Sequence, residues 1–319
     1  MIESVTPMKG LSVHFADGSR RMFSLLFGFA VGFCLSAYFS PFYWNRGSQA
    51  LTCQQTLLRP LHADISLTRN SGGPSILCWI TVMPLNHERK AKHIKATWAK
   101  RCDKYIFMSS INDPDLPSIA AVQFESRDML WNKTHFALTY ISKHFGEKFD
   151  YFFKADDDTY VVVENLRKLL STYNPEIPFL MGYRHERFFA QGYPSGGAGY
   201  ILSRAALRMM IKGFKTTEDC YSTTHSDNED VKIGMCAQTL GIPLIDSRDA
   251  RGFHHFEYRS PFELLNSSRL DASYNFLPNR TRVDCCADYM ITFHYIEPHE
   301  LYFMDYLIYH VLHPIPEGP

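Results

Sequence analysis

The stretch FDYFFKADDDTY, residues 149–160, decides the fold, because an apolar run ends there in three adjacent aspartates. The run is hydrophobic apart from Lys154, which predicts a buried strand. Asp156, Asp157 and Asp158 repel one another unless a cation lies among them. Mg²⁺ or Mn²⁺ is the natural partner of such oxygen ligands. A solvated acidic turn is the alternative, but the apolar strand that leads into the triplet favours a metal site at the strand's carboxyl end.

Segments on both sides of this stretch alternate between strand-like and helix-like patterns. The predicted strands are residues 75–83, 105–109, 179–182, 199–202 and 242–245. The predicted helices are residues 87–101, 130–145, 165–173, 204–212 and 228–241. Ser203 is expected to cap the fourth helix, and Ser226 or Asp227 the fifth. The alternation predicts an α/β domain with a mainly parallel central sheet.

A glycine-rich segment, GYPSGGAGY at residues 192–200, lies between two predicted strands. Gly196, Gly197 and Gly199 expose backbone N–H groups and let a ligand approach closely. A plain turn is the alternative interpretation. The segment lacks the lysine of a Walker loop and the Rossmann glycine spacing, which disfavours a nucleoside-triphosphate loop. We therefore interpret it as a substrate-facing loop.

Two further polar features are candidates for chemistry. Residues 227–230, DNED, lie at the start of a predicted helix, where acidic side chains complement the helix dipole. The same position keeps a carboxylate ionised and therefore able to accept a proton. His294 is isolated in the apolar segment MITFHYI, residues 290–296, which we interpret as a strand. Such a histidine is either a core residue or an imidazole ligand that completes a carboxylate metal site.

Residues 22–43 carry no charge and are long enough to span a bilayer. Arg20 and Arg21 precede them directly, which predicts a cytoplasmic N-terminus. A cleaved signal peptide and a buried core helix are the alternatives, and Gly28 and Gly32 form a GxxxG pattern typical of dimerisation faces. The expected segments are a cytoplasmic tail at 1–21, a transmembrane anchor at 22–43, a lumenal stem at 44–73 and a catalytic domain at 74–319.

Eight cysteines fit a lumenal, oxidising compartment, and no CxxC pair supports a zinc site instead. Cys34 lies in the predicted span and Cys53 in the stem. The six disulfide candidates, whose connectivity the residues leave open, are Cys78, Cys102, Cys220, Cys236, Cys285 and Cys286. The glycosylation sequons begin at Asn132, Asn266 and Asn279. The balanced charge, 33 Lys and Arg against 33 Asp and Glu, gives no case for a nucleic-acid partner.

The order of these motifs resembles that of a known family. In this chain it runs SILCWI, KAKHIKATW, FMSS, FFKADDDTY, GYPSGGAGY, NEDVKIGMC, DSRD and CCADYMITFHY. This order is similar to that of the β1,3-glycosyltransferases and, within them, of the core 1 β1,3-galactosyltransferases. The resemblance covers about residues 75–311. It is poorest at residues 260–282, where an aromatic- and proline-rich acceptor segment is expected.

The resemblance implies a GT-A fold, a Golgi membrane location, UDP-galactose as donor, Mn²⁺ as cofactor and an O-linked N-acetylgalactosamine (GalNAc) glycopeptide as acceptor. It also allows a homodimer and a dedicated chaperone as partners. Inverting transfer then needs one base on the acceptor hydroxyl and charge neutralisation at the leaving diphosphate. The resemblance makes Cys78–Cys102 the first expected disulfide and Cys220–Cys236 the second.

The same resemblance assigns roles to the candidate site residues. Asp158 and His294 ligate the metal together with Asp156, which with Asp157 also faces the donor ribose. The donor contacts also include two glycines of the loop, Gly196 and Gly197. Asp230 is the expected base, with Glu229 beside it as the second candidate.

Two other functions compete with this interpretation. One is a β1,3-transferase with another donor or acceptor. The other is a catalytically silent folding partner of such an enzyme, as one relative in the family lacks the aspartate triplet. The chain retains the triplet, Asp230 and His294, which a silent partner does not need, so the sequence favours an enzyme.

Overall fold

The structure is a computed structural model that describes residues 73–221, 228–266 and 286–311. All of them lie in the second of the chain's two units, Ser71–Pro319. The predicted tail, the predicted anchor and nearly all of the stem lie outside the described residues. Within the described part, no helix is long and apolar enough to cross a membrane.

Largely apolar runs form the central strands, because a strand covered on both faces needs no polar alternation. The described strands are β1 (Ile76–Thr81), β2 (Lys104–Ser109), β3 (Ser118–Ala120), β4 (Tyr151–Asp156), β5 (Tyr160–Val161), β6 (Leu180–Gly182), β7 (Arg184–His185), β8 (Tyr193–Pro194), β9 (Tyr200–Ser203), β10 (Leu244–Ile245) and β11 (Thr292–Phe293). Seven of them form the central sheet in the order β10–β6–β9–β4–β1–β2–β3. The pairs β5–β11 and β7–β8 form separate two-stranded sheets.

Helices connect and cover these strands. The described α-helices are α1 (Lys92–Ala96), α2 (Leu130–Phe145), α3 (Val163–Leu170), α4 (Arg204–Thr216), α5 (Glu218–Tyr221), α6 (Glu229–Thr239), α7 (Pro261–Asn266) and α8 (Pro298–Tyr309). A π-helical segment, His87–Ala91, precedes α1, and 3₁₀ turns occupy Ala99–Arg101 and Arg127–Met129.

The sheet is mostly parallel, as the sequence predicts. Strands β1, β2, β3 and β4 pair in parallel, and so do β6 and β10. Strand β9 departs from the prediction, because it runs antiparallel to both of its neighbours, β4 and β6. This reversal returns the glycine-rich segment to the carboxyl end of β4.

Alternate residues of the central strands fill two separate hydrophobic cores. On one face, Phe153 packs with Trp98 and with α3. On the other face, Phe152 and Trp79 pack with the buried sides of α2 and α4. Burial on both faces fixes the register of β4, since a slip by one residue would exchange every side chain between the two cores.

The predicted helix at residues 87–101 is wrong as a single element. Thr97 leaves the helical region with φ −103° and ψ −103°, so α1 ends at Ala96. Ile94 and Trp98 are both fully buried, as their spacing suggested. The Trp98 Nε1–H donates to the carbonyl oxygen of Thr159 at 2.9 Å. This contact draws the indole toward the aspartate turn and accounts for the break.

Two terminal predictions have different outcomes. The Ser203 side chain accepts a hydrogen bond from the Ala206 N–H, so it caps α4 as predicted. Helix α6 is instead preceded by Asn228 as its N-cap residue, which corrects the prediction of Ser226 or Asp227. Those two residues lie outside the described part. The segment at residues 290–296 is also shorter as a strand than expected, because β11 ends at Phe293, just before His294.

Both disulfides that the resemblance implied are present. Cys78 pairs with Cys102, with Cα atoms 6.1 Å apart, and Cys220 pairs with Cys236, with Cα atoms 4.7 Å apart. Cys286 is also disulfide-bonded, and Cys285 lies outside the described residues. Of the three sequon asparagines, Asn132 is half-buried in α2, Asn266 is the last residue of α7, and Asn279 is not described.

Gly234 sets how closely α6 approaches β8, and we expect Gly234→Ala to destabilise the protein. A Cβ at this position would lie 2.4 Å from the Tyr193 Cβ and 3.0 Å from its Cα. Neither atom moves without the backbone, so we expect a loss of roughly 1–3 kcal/mol in urea unfolding. Gly213→Ala in α4 is the matched control, because its closest contact is the end of the flexible Leu240 side chain. Equal losses for the two variants would contradict this interpretation.

Candidate active site

Strand β4 places the aspartate triplet at the carboxyl edge of the sheet. Asp156 ends the strand, and Asp157 and Asp158 form the turn that follows. The Thr159 hydroxyl accepts from the Asp156 N–H at 3.1 Å and donates to the Gly197 carbonyl at 2.8 Å. The turn is therefore tied directly to the glycine-rich segment.

Asp157 has its own set of partners. Its carboxylate accepts from Asn86 Nδ2 at 2.8 Å and from Lys90 Nζ at 3.2 Å. Lys90 Nζ also lies 3.3 Å from Asp158 Oδ2. Burial raises the pKa of the Asp157 carboxyl. Burial alone would lower the pKa of Lys90, but the two neighbouring carboxylates outweigh it and raise that pKa. Asp157 is thus held by protein partners, and its contact with a donor stays a prediction.

Asp156, Asp158 and His294 form a cluster that could hold a metal. Each offers one ligand atom, and these atoms all lie within 4.8 Å of one another. His294 Nε2 lies 3.1 Å from Asp158 Oδ1. Burial by itself would raise the pKa of Asp158, but the hydrogen bond from His294 outweighs it and lowers that pKa. Two carboxylate oxygens and one imidazole nitrogen suit a divalent cation such as Mn²⁺.

Lys154 lies at the centre of the site. Its ammonium is 2.5 Å from Asp156 Oδ1, 3.0 Å from the Gly196 carbonyl oxygen and 3.8 Å from Glu229 Oε2. Only 3% of its side chain is exposed. Burial alone would lower its pKa, but the surrounding carboxylates raise it to about 12. The same ammonium overcomes the effect of burial on Asp156 and lowers the pKa of that carboxyl to about 2.

The glycine-rich segment makes room for protein groups. At Gly197, a Cβ would lie 2.0 Å from His294 Cε1, so only glycine lets the imidazole approach the loop. Gly199 has φ +78°, a conformation that favours glycine. The Gly196 N–H donates to Asp230 Oδ2 at 3.2 Å. Gly197 therefore makes room for His294, and Gly196 lies against Asp230. That these glycines also admit a ligand stays a prediction.

The two adjacent acidic residues at the start of α6 have different environments. Glu229 is buried, and its carboxylate accepts a hydrogen bond from the Tyr200 hydroxyl and faces Lys154. Burial raises the pKa of the Glu229 carboxyl. Asp230 is half-buried, and its carboxylate accepts from the Gly196 N–H and the Val231 N–H. Asp230 is therefore the more accessible of the two candidates.

Most of these groups line one pocket with a volume of about 680 Å³, whereas Asp157 and Asp158 are not among its lining residues. Its wall includes Asp156 and His294 on the metal side and Glu229 and Asp230 on the α6 side. The other lining residues are Thr81, Arg127, Leu130, Thr134, Lys154, His185, Tyr193, Ser195, Gly196, Gly197, Asn228, Tyr258, Arg259 and Tyr295. The structure thus brings the four predicted site motifs together.

Several pocket and support residues escaped the sequence analysis. Lys154 is visible in the sequence as a charge inside an apolar strand, and this interruption is the signal that could have assigned it to the site. Asn86 and Lys90 carry no such signal, because polar residues are ordinary on a predicted helix with a single apolar stripe and in the turn before it. Arg259 and Tyr295 flank the segments singled out but have no diagnostic spacing.

A model of the Fringe-like family matches residues 76–297. The chain belongs to the Fringe-like family. The matched range begins at β1 and ends just before α8, so it contains every site residue named above. The mixed, mostly parallel sheet is the GT-A-like glycosyltransferase arrangement that the sequence analysis predicted.

This Fringe-like chain is similar to several curated glycosyltransferases. It is 43% identical over 242 residues to glycoprotein-N-acetylgalactosamine 3-beta-galactosyltransferase 1 of Xenopus laevis. The aligned region covers 74% of this chain and 66% of that protein. It is 28% identical over 164 residues to beta-1,3-glucosyltransferase of Mus musculus, and this aligned region covers 50% of this chain and 32% of that protein. The chain thus spans less than two thirds of either relative. A solved structure of the galactosyltransferase LgtC, 12% identical, aligns with a TM-score of 0.36 over 70% of this chain and 87% of that one.

We expect Lys154 and Glu229 to be energetically coupled in this Fringe-like domain. Lys154→Met leaves two carboxylates without their buried counter-charge, so the free energy of unfolding should fall by roughly 3–5 kcal/mol. Lys154→Met combined with Glu229→Gln should recover part of that loss, with a coupling of about 1–3 kcal/mol in urea unfolding.

Lys133→Met provides the matched control for this double-mutant cycle of Lys154 and Glu229. Lys133 is equally buried and pairs with Glu125 at 2.5 Å, outside the pocket wall. Its combination with Glu229→Gln should be additive. Additivity in the Lys154 cycle as well would show that the ammonium does not stabilise Glu229.

Proposed function

We propose that this protein transfers galactose from UDP-galactose to the 3-hydroxyl of GalNAc on serine or threonine, with inversion, forming the core 1 O-glycan. The observation that carries the proposal is the single pocket in which Asp156 and His294 face the same space as Asp230. The 43% identity to the Xenopus enzyme supports the choice of donor and acceptor.

Inversion follows from a single displacement at the anomeric carbon. The acceptor oxygen forms a bond to that carbon as the bond to UDP breaks, and UDP leaves with the electron pair. In this proposal Asp230 accepts the proton of the acceptor hydroxyl. The Gly196 N–H, which donates to its carboxylate at 3.2 Å, orients the base. Glu229 is engaged by Tyr200 and faces Lys154, so we assign it a structural role.

Asp156, Asp158 and His294 are the residues that would hold Mn²⁺. Their donor set fits the ion, since carboxylate oxygens and an imidazole nitrogen are within its ordinary range of ligands. When bound there, Mn²⁺ would neutralise charge that develops on the leaving diphosphate. Lys154 holds Asp156 in place by donating to its Oδ1 at 2.5 Å. We place the donor against Asp156, Asp157 and the loop glycines Gly196 and Gly197.

The cellular setting belongs to the same proposal. We propose a single-pass type II Golgi membrane protein, anchored by residues 22–43 with its catalytic part in the lumen. The two disulfides support an oxidising compartment. GalNAc-bearing glycoproteins are the proposed partners, together with a second copy of the chain and a dedicated chaperone.

A transfer assay on the full-length protein in detergent tests the activity. With Mn²⁺, UDP-galactose and a GalNAc-bearing peptide, mass spectrometry should detect one added hexose that a β1,3-specific galactosidase removes. The peptide without GalNAc is the acceptor control, and UDP-glucose and UDP-N-acetylglucosamine are the donor controls. Preference for another donor would establish a different β1,3-transferase. Absence of both transfer and UDP-sugar hydrolysis would instead establish a silent folding partner.

We expect Asp230→Asn to lower the transfer rate by roughly 10²–10⁴-fold, because the amide cannot accept a proton. UDP affinity should change little, since the variant retains the metal ligands. Glu229→Gln is the comparison. It should lower the melting temperature, and the folded variant should keep most of the transfer rate. The reverse pattern, with an inactive Glu229→Gln and an active Asp230→Asn, would assign the base to Glu229.

We expect His294→Ala to weaken Mn²⁺ binding by more than about tenfold, because it removes a ligand atom of the cluster. Electron paramagnetic resonance of free Mn²⁺ measures this without turnover. His93→Ala is the control, since His93 binds the Tyr302 hydroxyl at 3.0 Å and does not line the pocket. Unchanged Mn²⁺ affinity in folded His294→Ala would return this histidine to a packing role.

A further inference from the structure

Tyr295 combines two unusual properties at the mouth of the pocket. Its φ of +57° lies in the left-handed region, which a bulky side chain rarely adopts. Its side chain is also 56% exposed, although it lines the pocket. The ring therefore gains little from burial in the protein core, while the backbone beneath it is strained.

The backbone turn at this position has a clear structural cause. The Ile296 N–H donates to the Asp158 carbonyl oxygen at 2.9 Å, and the Ile296 side chain is buried. The chain must turn here to leave the metal cluster and enter α8. A glycine would make the same turn without strain. The fold thus explains the turn but does not explain the tyrosine side chain.

The position of the ring suggests what the side chain is for. It stacks on the His294 imidazole with ring centroids 3.8 Å apart and an interplanar angle of 28°. His294 belongs to the metal cluster, so the tyrosine ring lies beside the place where a leaving diphosphate is proposed to bind. Strained residues concentrate at binding sites, where the strain is retained for the sake of a contact.

We propose that Tyr295 is a saccharide-binding residue whose ring packs against the apolar C–H face of a pyranose. The inference rests on the proposed function, which supplies two pyranoses, the donor galactose and the acceptor GalNAc. Aromatic rings are rigid, and they offer a large apolar area together with a polar tip. These properties suit a sugar ring, which is apolar on its face and polar at its edge.

A matched pair of glycine substitutions tests the inference. Tyr295→Gly removes the ring and relieves the backbone. Phe188→Gly does the same at another left-handed, exposed aromatic residue, with φ +67° and 71% exposure, that does not line the pocket. Both variants should melt no lower than the parent. Titration calorimetry with Mn²⁺ then measures the binding of UDP, UDP-galactose and a GalNAc-bearing peptide to each full-length protein.

We expect Tyr295→Gly to lose roughly tenfold in affinity for one of the two saccharide ligands and to keep the affinity for UDP. The ligand that loses affinity identifies the sugar that contacts the ring. Tyr295→Phe should bind within about threefold of the parent, and Phe188→Gly should bind like the parent. The inference would be overturned if Tyr295→Gly bound both saccharide ligands like the parent. It would also be overturned if the variant lost as much affinity for UDP without a sugar as for the saccharide ligand. A parent that binds neither saccharide would overturn the proposed function and this inference with it.

Discussion

The buried ammonium of Lys154 is the interaction on which the rest of the site depends. It lies within 4 Å of Asp156 and Glu229 and also bonds the Gly196 carbonyl. Without a cation at this point, two carboxylates in a desolvated space would either repel each other or take up protons. Lys154 and Asp156 are two residues apart on one strand, so their side chains lie on the same face of β4. The spacing lysine–alanine–aspartate thus builds the ion pair into the strand itself.

Strand β9 brings further groups of the site to this ion pair. Because β9 runs antiparallel to β4, Tyr200 lies opposite Lys154 in the register, and the segment before it returns along the carboxyl edge of the sheet. The Tyr200 hydroxyl then donates to Glu229. The Gly196 carbonyl oxygen accepts from Lys154, and the Gly196 N–H donates to Asp230. One reversed strand therefore connects the metal side of the pocket to the helix that carries the base candidate. A fully parallel sheet would send this segment to the opposite edge.

Sequence patterns predicted six of the seven strands of the central sheet, because burial on both faces leaves a continuous apolar signal. They missed β3, the short strands β5, β7 and β8, and the helices α5, α7 and α8. They also predicted the acidic triplet, the glycine loop, the helix-start carboxylates and His294 as separate motifs. Their convergence depends on strand order and direction, which no local pattern encodes. The reversed β9 is one example. The break at Thr97 is another, since it arises from the contact between Trp98 and Thr159, 61 positions apart in the chain.

The two carboxylates at the start of α6 show why residue type and spacing alone do not assign a role. Glu229 and Asp230 are adjacent, and successive side chains on a helix point about 100° apart. Both side chains line the pocket, but the Glu229 carboxylate is buried beside Lys154, while Asp230 is half-buried. The longer glutamate reaches the Tyr200 hydroxyl, and the shorter aspartate is held by backbone N–H groups. The Glu229 carboxylate is engaged by Tyr200 and lies beside Lys154 inside the protein, so a substrate hydroxyl has less access to it. The Asp230 carboxylate is oriented by backbone N–H groups and is more exposed, and this difference in access is the reason to propose Asp230 as the base.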